Sequence, residues 1–206
     1  AFKGKTKIPL MEPTHGNNGL LKLKTLKNAI WNLRVYNNLE YEDFPDKRKV
    51  YYNMLNEGEN WRDLPEHIQE EALGKSYHLT GGKTGFLRRL SWDNPSPTLI
   101  THPSRFPATD LCHPDKIRPL SVEEYREIQT FPTDWEFAGS TTNKYKQIGN
   151  AVPVRFGEVL GNHIIEFDNN IKSCVRKNIV YPEKLHSRYY NTSHIYFESL
   201  LKGIQQ

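Results

Sequence analysis

Apolar residues recur at helical spacing along most of the chain, and the spacing changes only in its middle. Leu26, Ala29, Ile30 and Leu33 share one face of a segment opened by Thr25, which predicts a helix from Leu26 to Arg34. Val50, Tyr51, Met54 and Leu55 mark a second short amphipathic helix ending at Gly58, and Leu64-Pro65-Glu66 starts a third that Gly74 stops. From Gly81 the period shortens: Phe86 to Leu90 and Thr98 to Thr101 read as strands around a Pro95-Ser96-Pro97 turn. Residues 102–118 read as loop. Ser121-Val122-Glu123-Glu124 is a capping box, each side chain satisfying the other's backbone donor, and opens a helix ending near Gln129. Pro153 suits the first turn of another helix, carrying Phe156, Val159, Leu160, His163, Ile164 and Phe167. A last helix is expected from Ile195 to Lys202. Short helices and strands between Pro- and Gly-rich loops place the chain in the α+β class.

Composition narrows this picture. The chain has 206 residues with only 36% hydrophobic, and a mean hydropathy of −0.73. Aromatics at 12%, with 13 Gly and 13 Pro, favour a loop-rich globular piece over disorder. No apolar run approaches the roughly 18 residues of a membrane span. The start, Ala1-Phe2-Lys3-Gly4-Lys5, has no apolar core of a signal peptide and no Met, which points to a processed or excised chain. Cys112 and Cys174 lie far apart and form no disulfide framework, so a cytoplasmic setting is expected. The net charge of +4 is uneven. Residues 1–35, 80–118 and 171–206 are basic, whereas 36–79 and 119–170 are acidic. Basic blocks around acidic ones suit one surface facing a polyanion.

Two segments sharpen the reading. One is Arg118-Pro119-Leu120-Ser121-Val122-Glu123-Glu124-Tyr125, continuing to Gln129-Thr130-Phe131-Pro132; the other is Gln147-Ile148-Gly149-Asn150-Ala151-Val152-Pro153. In this order and spacing they resemble the last two conserved motifs of DNA (cytosine-5) methyltransferases. Leu87-Arg88-Arg89-Leu90-Ser91-Trp92 through Leu99 resembles the target-recognition region of bacterial restriction–modification members, and His113-Pro114 fits the same pattern. Pro13-Thr14-His15 and Thr25 to Ile30 resemble the segment leaving the catalytic domain. The likeness runs from about residue 8 to residue 167.

The resemblance implies S-adenosyl-L-methionine as cofactor, with Asn150 and Val152 as its contacts, and double-stranded DNA as partner. Independently of it, Gly149-Asn150 before a Pro153-led helix is expected to present free backbone N–H groups to an anion. For DNA the candidates are Lys83, Thr84, Arg88, Arg89 and Arg105, because Arg matches guanine O6/N7 and Lys or Thr holds phosphate. Arg88 and Arg89 are neighbours on an expected strand, so at most one reads a base there. Arg118 and Glu124 are expected to pair as scaffold.

No catalytic residue is assigned. The family's nucleophile is a cysteine after a proline, whereas Leu111 precedes Cys112 and Ser173 precedes Cys174. Its Glu-Asn-Val, Gln-x-Arg-x-Arg and early Gly-rich segments are not found either. His102 with Cys112-His113, and His186 with His194, lack zinc spacing, so no metal is expected. The implied organisation has four parts. Residues 1–34 leave the catalytic domain, 35–145 form a small mixed recognition domain, 146–170 return to the catalytic domain, and 171–206 are a basic, Tyr-rich extension. A catalytic N-terminal domain or subunit of Rossmann-like fold would complete the enzyme. The helix after Pro153 is then expected to expose Phe156, Val159, Leu160 and Ile164. The competing reading is a stand-alone DNA-binding or regulatory module; an RNA-methylating relative shares the chemistry.

Overall fold

Thr25 begins the first helix as its side chain dictates. In the computed structural model its backbone N–H donates to Asn28 Oδ1 at 2.9 Å and its hydroxyl accepts from the Asn28 N–H. Helix α1 (Leu26–Ile30) buries Leu26 and Ile30, then tightens into a 3-10 turn over Trp31–Val35. The structure describes residues 10–16, 20–80, 85–104 and 111–172, with side chains followed to Asp168. It divides into two compact units, residues 9–160 and a second of 1–8 with 161–206. All that follows concerns the first unless stated. The expected helix at 195–202 lies outside the described residues.

The second expected helix forms earlier and turns differently. Helix α2 (Asp46–Tyr52) follows Pro45 and buries Arg48 and Tyr52, while Val50 and Met54 stay exposed. Tyr52 stacks on Phe44 with centroids 4.8 Å apart, and that aromatic pair sets the inward face. Helix α3 (Glu66–Leu73) ends at Gly74, whose φ of 54° is open to glycine without steric cost.

The strands differ most from expectation. Strand β1 is only Arg88–Arg89, and it pairs in parallel with β2 (Leu111–Cys112), a segment expected to be loop. Leu87 stops β1 from extending backwards because its φ is +43°. Residues 98–101 form no strand. They pack instead: Leu99 is buried, and the Ile100 carbonyl lies against Gly149. The β pair stands between two cores. Leu90 and Leu111 join the first with Leu26, Tyr125 and Tyr145; Leu87 and Cys112 join the second with Phe44, Tyr52 and Trp61. Adjacent strand residues facing opposite ways produce that division.

Helix α4 (Val122–Ile128) has the expected capping box, with Ser121 N donating to Glu124 Oε2 at 2.7 Å. Helix α5 (Thr141–Gly149) was not expected; Ser140 caps it, and Tyr145 and Ile148 bury one edge. Helix α6 (Val154–Lys172) follows Pro153 as predicted. Within the first unit it exposes Phe156, Val159 and Leu160, the face anticipated, while Ile164, in the second unit, is half-buried. Short helices and a minimal strand pair make the mixed fold expected.

Candidate functional site

The site is built where α4, α5 and α6 meet. Arg118 and Glu124 form a buried bidentate pair, both contacts 2.8 Å long. Arg118 also donates to the Pro119 carbonyl at 2.7 Å, so most of the guanidinium's donors are occupied before solvent is considered. His113, fully buried, stands with Nε2 3.4 Å from Glu124 Oε1. Its Nδ1 accepts from the backbone N–H groups of Asp115 and Lys116, so its proton resides on Nε2. Burial pushes its pKa down to about 4, against the pull of the Glu124 carboxylate. This cluster fixes the entry of α4.

The exit of α4 holds the next turn. Gln129 Nε2 donates to the carbonyls of Ile148 and Ala151, each at 3.1 Å, clamping the end of α5. Thr130 adopts φ +58°, a strained conformation for a β-branched residue. There its hydroxyl accepts from Arg155 N at 3.0 Å, while the Gln129 carbonyl accepts from Val154 N at 3.0 Å. The start of α6 is therefore already capped. That narrows the expectation of free N–H groups awaiting an anion: Gln129 and Thr130 take those of Val154 and Arg155, and Asn150 N and Ala151 N are used within α5. Gly149 closes the junction, because a Cβ there would lie 2.8 Å from the Ile100 carbonyl oxygen. An open cleft of about 860 Å³ runs beside it, with Lys24, Asn28, Thr130, Gly149, Ala151 and Arg155 among its walls.

The anticipated contacts fall unevenly on this geometry. Asn150 is exposed at the end of α5, and Val152 is 61% exposed. Arg88 is half-buried and its side chain makes no hydrogen bond or ion pair among the described residues. Arg89 is committed elsewhere: Nη1 donates to the Leu55 carbonyl at 2.6 Å and Nε to that of Pro114 at 2.9 Å. It ties three segments together. Lys83, Thr84 and Arg105 lie outside the described residues. Cys112 is fully buried, its thiol facing the carbonyls of His113 and Lys116 at 3.6 Å. No group of metal ligands occurs among the described residues, and no described helix is long and apolar enough to cross a membrane. Gln129 and Thr130 were missed. Nothing in the sequence marks Thr130 for a positive φ, and Gln129 reads as an ordinary helix end.

The family model for C-5 cytosine-specific DNA methylases matches residues 8–166, taking in the whole α4–α5–α6 junction. The chain belongs to this family. It is 45% identical over 154 residues to the Type II methyltransferase M.Eco47II of Escherichia coli, across 73% of this chain and 37% of that protein. It is 50% identical over 126 residues to the Type II methyltransferase M.PspPI of Psychrobacter sp. (strain TA137), across 61% and 30%. A plant relative, DNA (cytosine-5)-methyltransferase 2 of Arabidopsis thaliana, is 35% identical over 121 residues, across 53% and 8%. The chain thus spans about a third of the bacterial relatives it matches. The matched region includes the pinned turn before α6 and the cleft beside it.

Proposed function

We propose that this chain is the target-recognition and C-terminal portion of a bacterial DNA (cytosine-5) methyltransferase of restriction–modification type. It acts with a Rossmann-like catalytic portion to transfer a methyl group from S-adenosyl-L-methionine to C5 of cytosine in duplex DNA. The observation that carries this reading is the double Gln129 clamp on Ile148 and Ala151, which holds the turn between α5 and α6 in one shape beside the cleft. A turn fixed on rigid helices positions a ligand contact better than a mobile loop does.

The residues present fit the cofactor in part. The Asn150 side chain is exposed and without a hydrogen bond among the described residues, and Val152 beside it is exposed and apolar. A polar amide next to an apolar side chain suits a molecule with polar and apolar parts, and these two would hold it. At the start of α6 the N–H groups of Val154 and Arg155 are already taken by Gln129 and Thr130, so neither serves its carboxylate. S-adenosyl-L-methionine supplies an electrophilic methyl group when bound.

On this reading residues 1–34 leave the catalytic portion, 35–145 recognise DNA, 146–170 return, and 171–206 extend beyond. The chain by itself transfers no methyl group. Cys112 follows Leu111 and is buried, so it cannot add to C6 of a flipped cytosine. Among the cations assigned to DNA, Arg88 is the base reader of its pair, since Arg89 is engaged with backbone carbonyls; Lys83, Thr84 and Arg105 belong to the same interface.

Mixing this chain with a catalytic portion from a close bacterial relative, labelled S-adenosyl-L-methionine and duplex DNA tests the proposal. Methyl transfer only in the mixture supports it. Duplex binding without rescue by any such portion would favour a stand-alone DNA-binding module, and preference for folded RNA at equal salt would redirect it to RNA.

A further inference from the structure

The segment Leu26–Val35 has two faces of opposite character. Leu26 and Ile30 are buried in the first core. On the outer side, Lys27 and Arg34 both stand over the Trp31 ring, the ammonium 4.8 Å and the guanidinium carbon 3.4 Å from its centroid. Trp31 is itself braced. Its ring meets Trp92 edge-on at 5.1 Å, and Trp92 Nε1 donates to Asp115 at 2.8 Å. A third cation joins from the neighbouring loop, where Lys116 Nζ donates to the Arg34 carbonyl at 3.2 Å.

None of these three cations is within ion-pair distance of a carboxylate among the described residues. Residues 20–38 carry Lys22, Lys24, Lys27 and Arg34 and no Asp or Glu. Asp115, the acid nearest in sequence to Lys116, is engaged by the Trp92 indole. A hollow of about 290 Å³ lies alongside, with Tyr36, Asn37, Tyr41 and Lys116 in its walls. A cation held over an indole keeps its charge and loses rotamer freedom in advance, so less entropy is lost when it meets an anion. Uncompensated charges in one patch also attract a polyanion from a distance.

We propose that Lys27, Arg34 and Lys116 form a phosphate-backbone contact for duplex DNA, separate from the base-reading strand at Arg88. The inference rests on the reading that the chain acts on duplex DNA. Two cations stacked on an indole with a third beside them offer donors and no acceptor, which suits phosphate oxygens, and contacts to phosphate position DNA without reading its sequence.

The test uses the full chain with Lys27→Gln, Arg34→Gln and Lys116→Gln, singly and together, and Arg34→Lys as the variant that keeps charge. Duplex affinity is measured across a salt series, with thermal melting as a check on folding. The salt slope is expected to fall by about one for each phosphate contact removed, with the same loss on every duplex sequence. Arg34→Lys should keep the slope. An unchanged slope in the triple variant overturns the proposal; if Arg88→Ala still alters target preference, the DNA reading survives that result. Failure of the unmodified chain to bind any duplex removes both. A triple variant that binds DNA normally but no longer assembles with a catalytic portion makes the patch a protein-docking face and also overturns it. Arg34→Gln alone decides the matter if the triple variant does not fold, because that side chain is exposed.

Discussion

Gly149 touches the backbone of Ile100: a β-carbon at this position would stand 2.8 Å from the Ile100 carbonyl oxygen and 3.0 Å from the Thr101 α-carbon. Backbone cannot rotate away as a side chain can, so Gly149→Ala must push residues 100–101 off α5. We expect a loss of about 1–3 kcal/mol, typical of overpacking, read as a lower urea midpoint. In the reconstituted methyltransferase the same variant should weaken cofactor binding more than DNA binding. A Gly149→Ala chain as stable as the parent would show that the contact is soft.

The Arg118–Glu124 pair is buried with every carboxylate oxygen engaged, by Arg118 and by Ser121 N. Removing one partner leaves the other charge stranded. Glu124→Ala should therefore cost about 3–5 kcal/mol. Replacing both, as Arg118→Met with Glu124→Leu, should cost clearly less than the sum of the single changes. Urea unfolding of the four proteins measures the coupling, and simple additivity would contradict a buried pair.

How far the sequence reveals this molecule depends on what each element rests on. Local chemistry was legible: Thr25, Gly74, Ser121 and Pro153 each begin or end a helix for reasons carried by one or two side chains. Elements set by long-range packing were not. Residues 98–101 have strand composition, yet Leu99 and Ile100 are taken up by the contact with α5. Helix α5 has only Tyr145 and Ile148 buried, too few apolar positions to show a period. The site divides the same way. The motif residues were visible, but Gln129 acts through carbonyls 19 and 22 positions away, a relation only the fold creates.

The two neighbouring arginines on β1 should separate cleanly. Arg89 bridges the Leu55 and Pro114 carbonyls, so Arg89→Ala frees two buried acceptors and should lower stability by about 1–3 kcal/mol. Arg88→Ala should leave stability within about 0.5 kcal/mol, because it breaks no hydrogen bond or ion pair among the described residues. Its expected effect is on sequence preference, by roughly 1–3 kcal/mol if a bidentate base contact is lost. Competition binding with altered target duplexes, beside thermal melting, checks both. An Arg88→Ala chain with unaltered preference would remove it from the interface.

His113 gives stability a pH dependence of definite sign. Burial lowers its folded pKa from 6.5 to about 4, so between those values the unfolded chain binds more protons than the folded one. Stability is then full above the unfolded value and falls as pH drops toward the folded one, by at most about 1.4 kcal/mol per pH unit. Protonation would also set an Nδ1–H against the Asp115 and Lys116 N–H groups. Urea midpoints taken from about pH 7 down to about pH 5 should decline, and His113→Asn, which keeps an acceptor but does not titrate, should flatten the decline. Equal slopes in the two proteins would assign the dependence to other groups.

The apolar face of α6 connects the fold to the proposed assembly. Phe156, Val159 and Leu160 are 50%, 52% and 39% exposed and lie on adjoining turns, although each would ordinarily gain by burial. Side chains that contribute so little of their apolar area to the core lose little when that area becomes polar. Phe156→Ser and Leu160→Gln should therefore shift the unfolding midpoint of the chain only slightly, within about 0.5 kcal/mol each. If the catalytic portion of the methyltransferase packs on this face, the same changes remove buried area from the joined enzyme and should cost about 1.5–3 kcal/mol of assembly per side chain. Titrating labelled chain against a catalytic portion, with methyl transfer as a second readout, separates the two effects. Variants that assemble and methylate like the parent would assign the docking surface to another part of the chain, whereas loss of assembly with unchanged melting would place it on this helix.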